Sequence, residues 1–339
     1  LRFTVYESNR WVTPKTVAEG EDWFVNWADF PSLAVSADGA MSAHWLAKSA
    51  DTPYAYDIRI AQSFDGGSKW HMPLTPHSDG TPTEHGFVSM LPQENDRTLA
   101  IWLDGRNTGR HSESGSRAMT LRAAVIDRVG GLHDEAELDN RICDCCQTAA
   151  VRTASGVVVA YRDRTEGEIR DISVVRLRDD TWTKPQAVSK DGWKIKACPV
   201  NGPVLASDER NVALAWFTNA DDRPRVKVAF SKDEGVTFGQ PVVVSNGVPM
   251  GRASAVMLQD GTVLVGWMES LVGAAEFRVR RIHSDGKADP EVTVTSMNAS
   301  RRSGFPRMAR RDDTLFFAWT HYDSTTSVRV ATATLAHAD

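Results

Sequence analysis

Short runs in which apolar and polar residues alternate, separated by polar turns, fill the chain from end to end. One kind of run closes on an aromatic: MSAHW at Trp45, RTLAIW at Trp102, GVVVAY at Tyr161, VALAW at Trp216, VLVGW at Trp267 and LFFAW at Trp319. The intervals are 57, 59, 55, 51 and 52 residues, which marks a repeated supersecondary unit. A shorter run such as FPSLAVS, GPVLAS or ASAVMLQ precedes the aromatic one across a turn of Asp, Gly, Asn or Ser. A third alternating run follows it: DIRIAQS, DISVVRL, RVKVAFS, FRVRRI or SVRVAT. Period two with β-branched enrichment predicts strands, and no long segment of period 3.6 predicts a helix.

A fourth strand is announced by an aromatic, two residues and a proline, at Trp70–Pro73, Trp182–Pro185 and Phe238–Pro241. Proline suits the start of a strand or a sheet edge, where no ladder donor is needed. The same mark stands at Trp11–Pro14, ahead of any complete repeat, while the chain stops soon after a third strand, SVRVATATL. The N-terminal segment, residues 1–28, is therefore expected to supply the outer strand of the last unit. Six four-stranded units at about 29–83, 84–140, 141–196, 197–248, 249–300 and 301–339 make an all-β, single-domain six-bladed β-propeller, which protects sheet edges by radial repetition. The recurring Trp then fills the space between neighbouring blades.

Charge narrows the function. Lys+Arg 39 against Asp+Glu 44 gives a net charge of −5, which argues against a nucleic-acid-binding surface. No apolar run approaches the roughly 20 residues that span a bilayer. A start at Leu1 without a signal-like apolar segment reads as a processed or trimmed chain.

Two third-to-fourth-strand turns share a motif. Ser63-Phe-Asp65-Gly-Gly67-Ser-Lys-Trp70 and Ser231-Lys-Asp233-Glu-Gly235-Val-Thr-Phe238 both fit S-x-D-x-G-x-x-W/F, 168 residues apart. The carboxylate can tie the turn's own amides while glycine takes φ > 0. The motif resembles the Asp box of the sialidase (neuraminidase) superfamily, with degenerate traces at His283–Gly286 and Asp179–Trp182. That resemblance implies the propeller fold and a periplasmic or secreted location. It also implies three arginines gripping a substrate carboxylate, a Tyr–Glu nucleophile pair and an Asp acid/base. Asp29 stands where the family's first-blade arginine is expected, so standard sialic-acid chemistry is not implied.

In such a fold the residues before each first strand and after each second strand ring one mouth. They include Asp29, Glu84, His85, Asn201, Asp104, Arg106 and Asp163, a dense set of ionisable groups. From it come Tyr322, Glu269 and Asp57 as candidate catalytic residues. Arg162, Arg164, Arg252, Arg307 and Asp104 are candidate substrate ligands for a glycan or small anionic ligand. Cys143, Cys145 and Cys146 precede the third unit, and Cys198 precedes the fourth, one repeat after Cys146. Blade-tying disulfides, a copper or zinc site helped by His85 or Met250, and a reactive thiol are all open readings. The expected function is a glycoside hydrolase-related protein with its site at the cysteine-rich mouth, or alternatively a metal-binding propeller without that activity.

Overall fold

Period-two patterning folds into antiparallel meanders whose strands pair in chain order. The structure is a computed structural model and describes residues 1–109, 117–323 and 325–335. It divides into two compact units, Leu1–Asp144 and Cys145–Asp339.

Besides two short N-terminal ribbons, the first unit carries two blade sheets. Blade one is built from Ser32–Val35, Met41–Lys48 and Tyr56–Ser63, with Leu74 bridged to Ile60 at its outer edge. Blade two is His85–Pro92, Thr98–Asp104, Met119–Ile126 and Leu132–Ile142. The second unit carries four. Blade three is Ala149–Thr153, Gly156–Arg162 and Ile172–Arg178, edged by Thr181–Trp182 and Gln186–Ala187. Blade four is Val204–Ser207, Val212–Thr218, Arg225–Ser231 and Val242–Val243. Blade five is Pro249–Met257, Val263–Leu271, Ala274–Ile282 and Val292–Met297. Blade six shows Arg307–Arg311, Thr314–Tyr322 and Thr326–Thr334. Helix among the described residues is confined to two 3-10 turns, Ala220–Asp222 and Arg301–Ser303.

The second strands of blades two and four are covered on both faces. Every residue of Thr98–Asp104 and of Val212–Thr218 is buried. Three of the recurring aromatics pack on the preceding blade, as their spacing implies. Trp102 joins Leu46, Tyr56, Ile58 and Ile60, and Trp216 joins Val158, Ala160, Ile172 and Val174. Trp267 likewise sits among Ala213, Val226, Val228 and Val244. Burial of a ring this size contributes about 4–6 kcal/mol of transfer free energy as an upper bound.

The two S-x-D-x-G turns are pinned as their residue types require. Asp65 Oδ1 accepts from the amides of Ser68 and Lys69, both at 2.9 Å, and Asp233 Oδ1 accepts from the Thr237 amide at 2.9 Å. Gly67 and Gly235 take φ of 75° and 78° and donate to the serine hydroxyls that open each motif.

The N-terminal segment runs along blade one. Among the described residues it pairs within itself, Arg2–Phe3 with Lys15–Thr16 and Tyr6–Glu7 with Arg10–Trp11. Phe3 meets Trp70 edge-on with centroids 6.0 Å apart, and contacts with blade one continue beyond Pro14. Trp23 bridges Ala47 and stacks on Trp45, and Phe24 stacks on Tyr56 with centroids 4.0 Å apart. Aromatic burial in the first unit thus directs a segment whose own strands are only two residues long.

Candidate functional site

The densest group of buried ionisable side chains lies in the first unit, where the sheet ladders bring several chain segments to one end of blades one and two. Tyr56 opens the third strand of blade one and bridges Glu84 in parallel; its amide donates to Thr83 O. His85 opens the next blade and stands directly opposite Asp104 in the ladder. Asp29 reaches in from the residues before Ser32–Val35, and His77 and Asp79 come from the polar loop that leaves blade one.

Two subsites result. In the first, the Tyr56 hydroxyl donates to Glu84 Oε1 at 2.6 Å and lies 3.2 Å from Asp29 Oδ2, while Asp29 Oδ1 accepts from the Phe87 amide at 2.8 Å. Phe87 has φ of 53°, an uncommon backbone state for a bulky residue that this carboxyl helps to hold. Burial, foremost, pushes the Asp29 carboxyl up to about 8 and Glu84 to about 7. Burial and the two neighbouring acids drive Tyr56 well above the ordinary phenol value, so it stays a donor. Tyr56 is 1% exposed beneath Phe24, whereas Glu84 is only partly buried. Glu84 is therefore the acid a substrate could reach.

In the second subsite, His77 and His85 lie face to face, ring centroids 3.8 Å apart and planes 7° from parallel. Both rings are buried. Asp79 Oδ1 sits 3.1 Å from His77 Nδ1 and 3.2 Å from His85 Nε2, and Asp104 Oδ1 is 3.6 Å from that same His85 nitrogen. Asp57 Oδ1 faces the opposite edges of both rings, 3.9 Å from His77 Nε2 and 3.8 Å from His85 Nδ1. Asp104 is fixed by Trp102 Nε1 at 2.8 Å and by a fork from Arg106 at 2.7 and 2.8 Å. Burial opposes charge on Asp104, yet Arg106 and His85 hold its pKa below the usual range. Burial likewise opposes charge on His85, but Asp79, Asp104 and Asp57 outweigh it and raise its pKa.

The other sequence candidates fall elsewhere, several into structural roles. Glu269 is 2% exposed and accepts from Trp267 Nε1 at 2.7 Å and from the Val248 amide, so both oxygens are occupied. The Tyr322 hydroxyl is bonded by Arg302, whose guanidinium also covers the ring at 4.7 Å. A Tyr–Glu hydrogen bond is present in the chain, but it is Tyr56–Glu84. Arg162 is 2% exposed and donates to the carbonyls of Asn201, Arg170 and Phe217, with Trp193 under its guanidinium at 4.9 Å. Arg164 pairs with Glu168 at 2.8 Å, and Arg307 is exposed at the start of its strand. Arg252 is buried with φ of 53°; its amide donates to Asn201 Oδ1 at 2.7 Å and its guanidinium to Gly304 O at 2.9 Å. Burial and Arg301 lower its pKa to about 10.

The turn holding Cys143, Cys145 and Cys146 brings their three sulfurs within 4.8 Å of one another, and the Asn201 amide approaches Cys146 Sγ at 3.4 Å. Cys198 is exposed and is not in that group among the described residues, and His85 belongs with the carboxylates instead. Tyr56, His77 and Asp79 are the participants that sequence reasoning misses. Tyr56 opens a third strand, a position the rim rule omits, and His77 and Asp79 lie in a loop the repeat does not describe.

The sequence matches no protein-family model and no curated protein. Solved structures do resemble the chain. The intramolecular trans-sialidase from Ruminococcus gnavus aligns over 89% of this chain and 93% of its own, with a TM-score of 0.59 and 10% identity. The α-L-arabinanase from Penicillium chrysogenum aligns over 92% and 95%, with a TM-score of 0.58 and 12% identity. The GH93 α-L-arabinofuranosidase from Fusarium graminearum covers 90% and 92%, with a TM-score of 0.57 and 13% identity. With the six sheets described above, these likenesses give the chain the sialidase-like six-bladed β-propeller fold.

Proposed function

We propose that this propeller is a glycosidase-related hydrolase whose reactive groups lie in its first two blades, with Glu84 as the general acid. The observation that carries the reading is the Glu84 carboxyl, bonded to Tyr56 at 2.6 Å and lifted by burial to about 7. A partly exposed acid that keeps its proton near neutrality is what protonation of a glycosidic leaving group requires. The fold's resemblance to sialidases and arabinan-cleaving propellers supports the same class. Fold kinship alone does not carry function, so the acid is the weightier support. Arg162 and Arg252 direct N–H groups to main-chain carbonyls, which favours a neutral glycan over a carboxylated sugar. A periplasmic or secreted location accords with a glycan substrate.

The test is a panel of aryl glycosides, arabinofuranosides and sialosides among them, assayed against the wild type and Glu84→Gln. On substrates with poor leaving groups the variant should lose about 10²–10⁴ in kcat/KM. Dinitrophenyl glycosides, which need no protonation, should lose far less. The wild-type rate should fall as pH rises past about 7, and that limb should vanish in the variant. A panel without turnover, or a variant with unchanged activity on every substrate, would sink the proposal.

A second reading, thiolate metal binding without hydrolysis, is favoured by the approach of the Cys143, Cys145 and Cys146 sulfurs. Copper or zinc bound by the wild type and lost in Cys143→Ser would support it; retention of that metal would count against it.

A further inference from the structure

We propose that Asp57, His77 and His85 bind one divalent first-row transition-metal ion, zinc in the first instance, with Asp79 and Asp104 as the outer carboxylates that orient the two imidazoles. The three ligand atoms lie within 4.8 Å of one another, and His77 Nε2 and His85 Nδ1 face a single oxygen, Asp57 Oδ1. Among the described residues neither nitrogen has a hydrogen-bond partner, and nor does His85 Nε2, although the side chains are only 4% and 0% exposed. Buried imidazole nitrogens are normally satisfied. Two that are unsatisfied and aimed at one carboxylate oxygen describe a place for a cation.

Proton placement leads to the same site. The hydrogen bond between His77 Nδ1 and Asp79 Oδ1 puts the proton on Nδ1 and leaves Nε2 as a lone pair. His85 Nε2 faces Asp79 and Asp104, so a proton there leaves Nδ1 bare toward Asp57. Outer carboxylates of this kind set the tautomer and direction of metal-binding histidines. Charge agrees as well. Asp57, Asp79 and Asp104 face one guanidinium, Arg106, which is itself shared with Glu135. With both imidazoles neutral, the three carboxylates exceed Arg106 by two negative charges, which a divalent ion matches.

Two imidazoles and one carboxylate suit zinc and its first-row neighbours better than Cu(I), which prefers sulfur, or calcium, which prefers oxygen. Three protein ligands leave a further position open to water or substrate. Asp57, 24% exposed, gives the ion an approach from solvent. The stacked rings send their lone pairs along parallel lines, so an ion about 2.0–2.1 Å from both nitrogens turns the rings out of the stack. A proton competes for the same place. The groups facing His85 are Asp57, Asp79, Asp104 and His77, with Glu84 adjoining and Arg106 beyond Asp104. Imidazole nitrogens bind metal only when unprotonated, so metal affinity falls in acid.

The site stands apart from the hydrolase reading, and its test measures metal rather than turnover. Chelator-stripped protein is titrated with Zn²⁺ by calorimetry and with Co²⁺ by visible absorption at pH 7.5. One equivalent should bind, with ligand-field bands in the cobalt form. Affinity should fall at least 100-fold in His77→Gln and Asp57→Asn, and about 10- to 100-fold in Asp79→Asn. It should be unchanged in Cys143→Ser and should weaken in the wild type between pH 7.5 and 5.5. Histidine ¹⁵N shifts of the wild type give a readout independent of variant folding, with His77 Nε2 and His85 Nδ1 as the nitrogens that move. Failure of the wild type to bind one equivalent, binding that survives both ligand substitutions, binding lost with the cysteine, or ¹⁵N shifts confined to other histidines would each overturn the proposal.

Discussion

Asp29→Asn should make the protein more stable at neutral pH, and the structure sets both size and sign. The folded state holds the Asp29 carboxyl at about 8 against an ordinary value of 3.8, chiefly through burial. Between those limits folding takes up a proton, so the contribution of Asp29 is full below about pH 4 and is lost as pH rises toward 8. At pH 7 roughly three units separate the medium from the unfolded pKa, a penalty of about 4 kcal/mol at about 1.4 kcal/mol per unit. Asparagine has the shape of the protonated acid and no proton to take up. Its Nδ2–H donates to the Tyr56 oxygen in place of the acid's O–H, a weaker bond that costs about 1 kcal/mol, and Tyr56 keeps Glu84 as acceptor. The net gain is about 2–3 kcal/mol at pH 7, shrinking to nothing or less near pH 4.

The second unit contains a precedent for this substitution. Asn201, like Asp29 three residues ahead of its blade's first strand, accepts through Oδ1 from Arg252, whose φ of 53° equals that of Phe87. An amide thus already performs the backbone task at an equivalent place. Urea unfolding of both proteins at pH 4.5, 6, 7 and 8.5 tests the prediction. A gap between them that does not widen with pH, or a variant less stable at pH 7, would refute the burial of an un-ionised Asp29.

Arg162→Met should cost about 3–5 kcal/mol, read by denaturant midpoint, because it strips donors from the buried carbonyls of Asn201, Arg170 and Phe217. Asp233→Ala should cost about 1–2 kcal/mol and speed hydrogen exchange at the Thr237 amide, which it releases. In Gly202→Ala the new methyl would stand 2.0 Å from Gln147 O, a main-chain atom that cannot turn aside; little soluble protein is expected, and normal yield with an unchanged melting curve would contradict the packing. Trp102→Phe should lose about 2–4 kcal/mol and raise the Asp104 pKa, observable by carboxyl NMR, since the indole donates to that carboxylate at 2.8 Å.

The repeat was legible because it rests on local rules. Alternation fixes which face of a strand is covered, and Trp102, Trp216 and Trp267 each have a neighbouring blade to pack on. The proline marks located the outer strands at Gln186–Ala187 and Val242–Val243. The destination of residues 1–28 was not legible, since nothing local says whether Trp23 and Phe24 prefer one blade or another.

The site was half legible. Its rim residues Asp29, Glu84, His85, Asp104 and Arg106 follow from counting along strands. Their partnerships do not, because a hydrogen bond such as Tyr56–Glu84 joins residues 28 positions apart in different sheets. Arginines mislead most. A guanidinium reads as a ligand for an anion, yet Arg162 and Arg252 serve backbone carbonyls that no sequence pattern displays.

The indole that fills a blade also aims an acid. Trp102 donates to Asp104 and Trp267 to Glu269, each two residues further along the same strand and on the same face. Blade three has the same spacing in Tyr161 and Asp163, while blades one, four and six carry Ala47, Thr218 and His321 there. In blade four the indole of Trp216 serves Asp191 instead, an acid brought in by a loop. In blades two and five one side chain thus both fills the core and aims a carboxylate, so a substitution of that indole disturbs packing and charge at once.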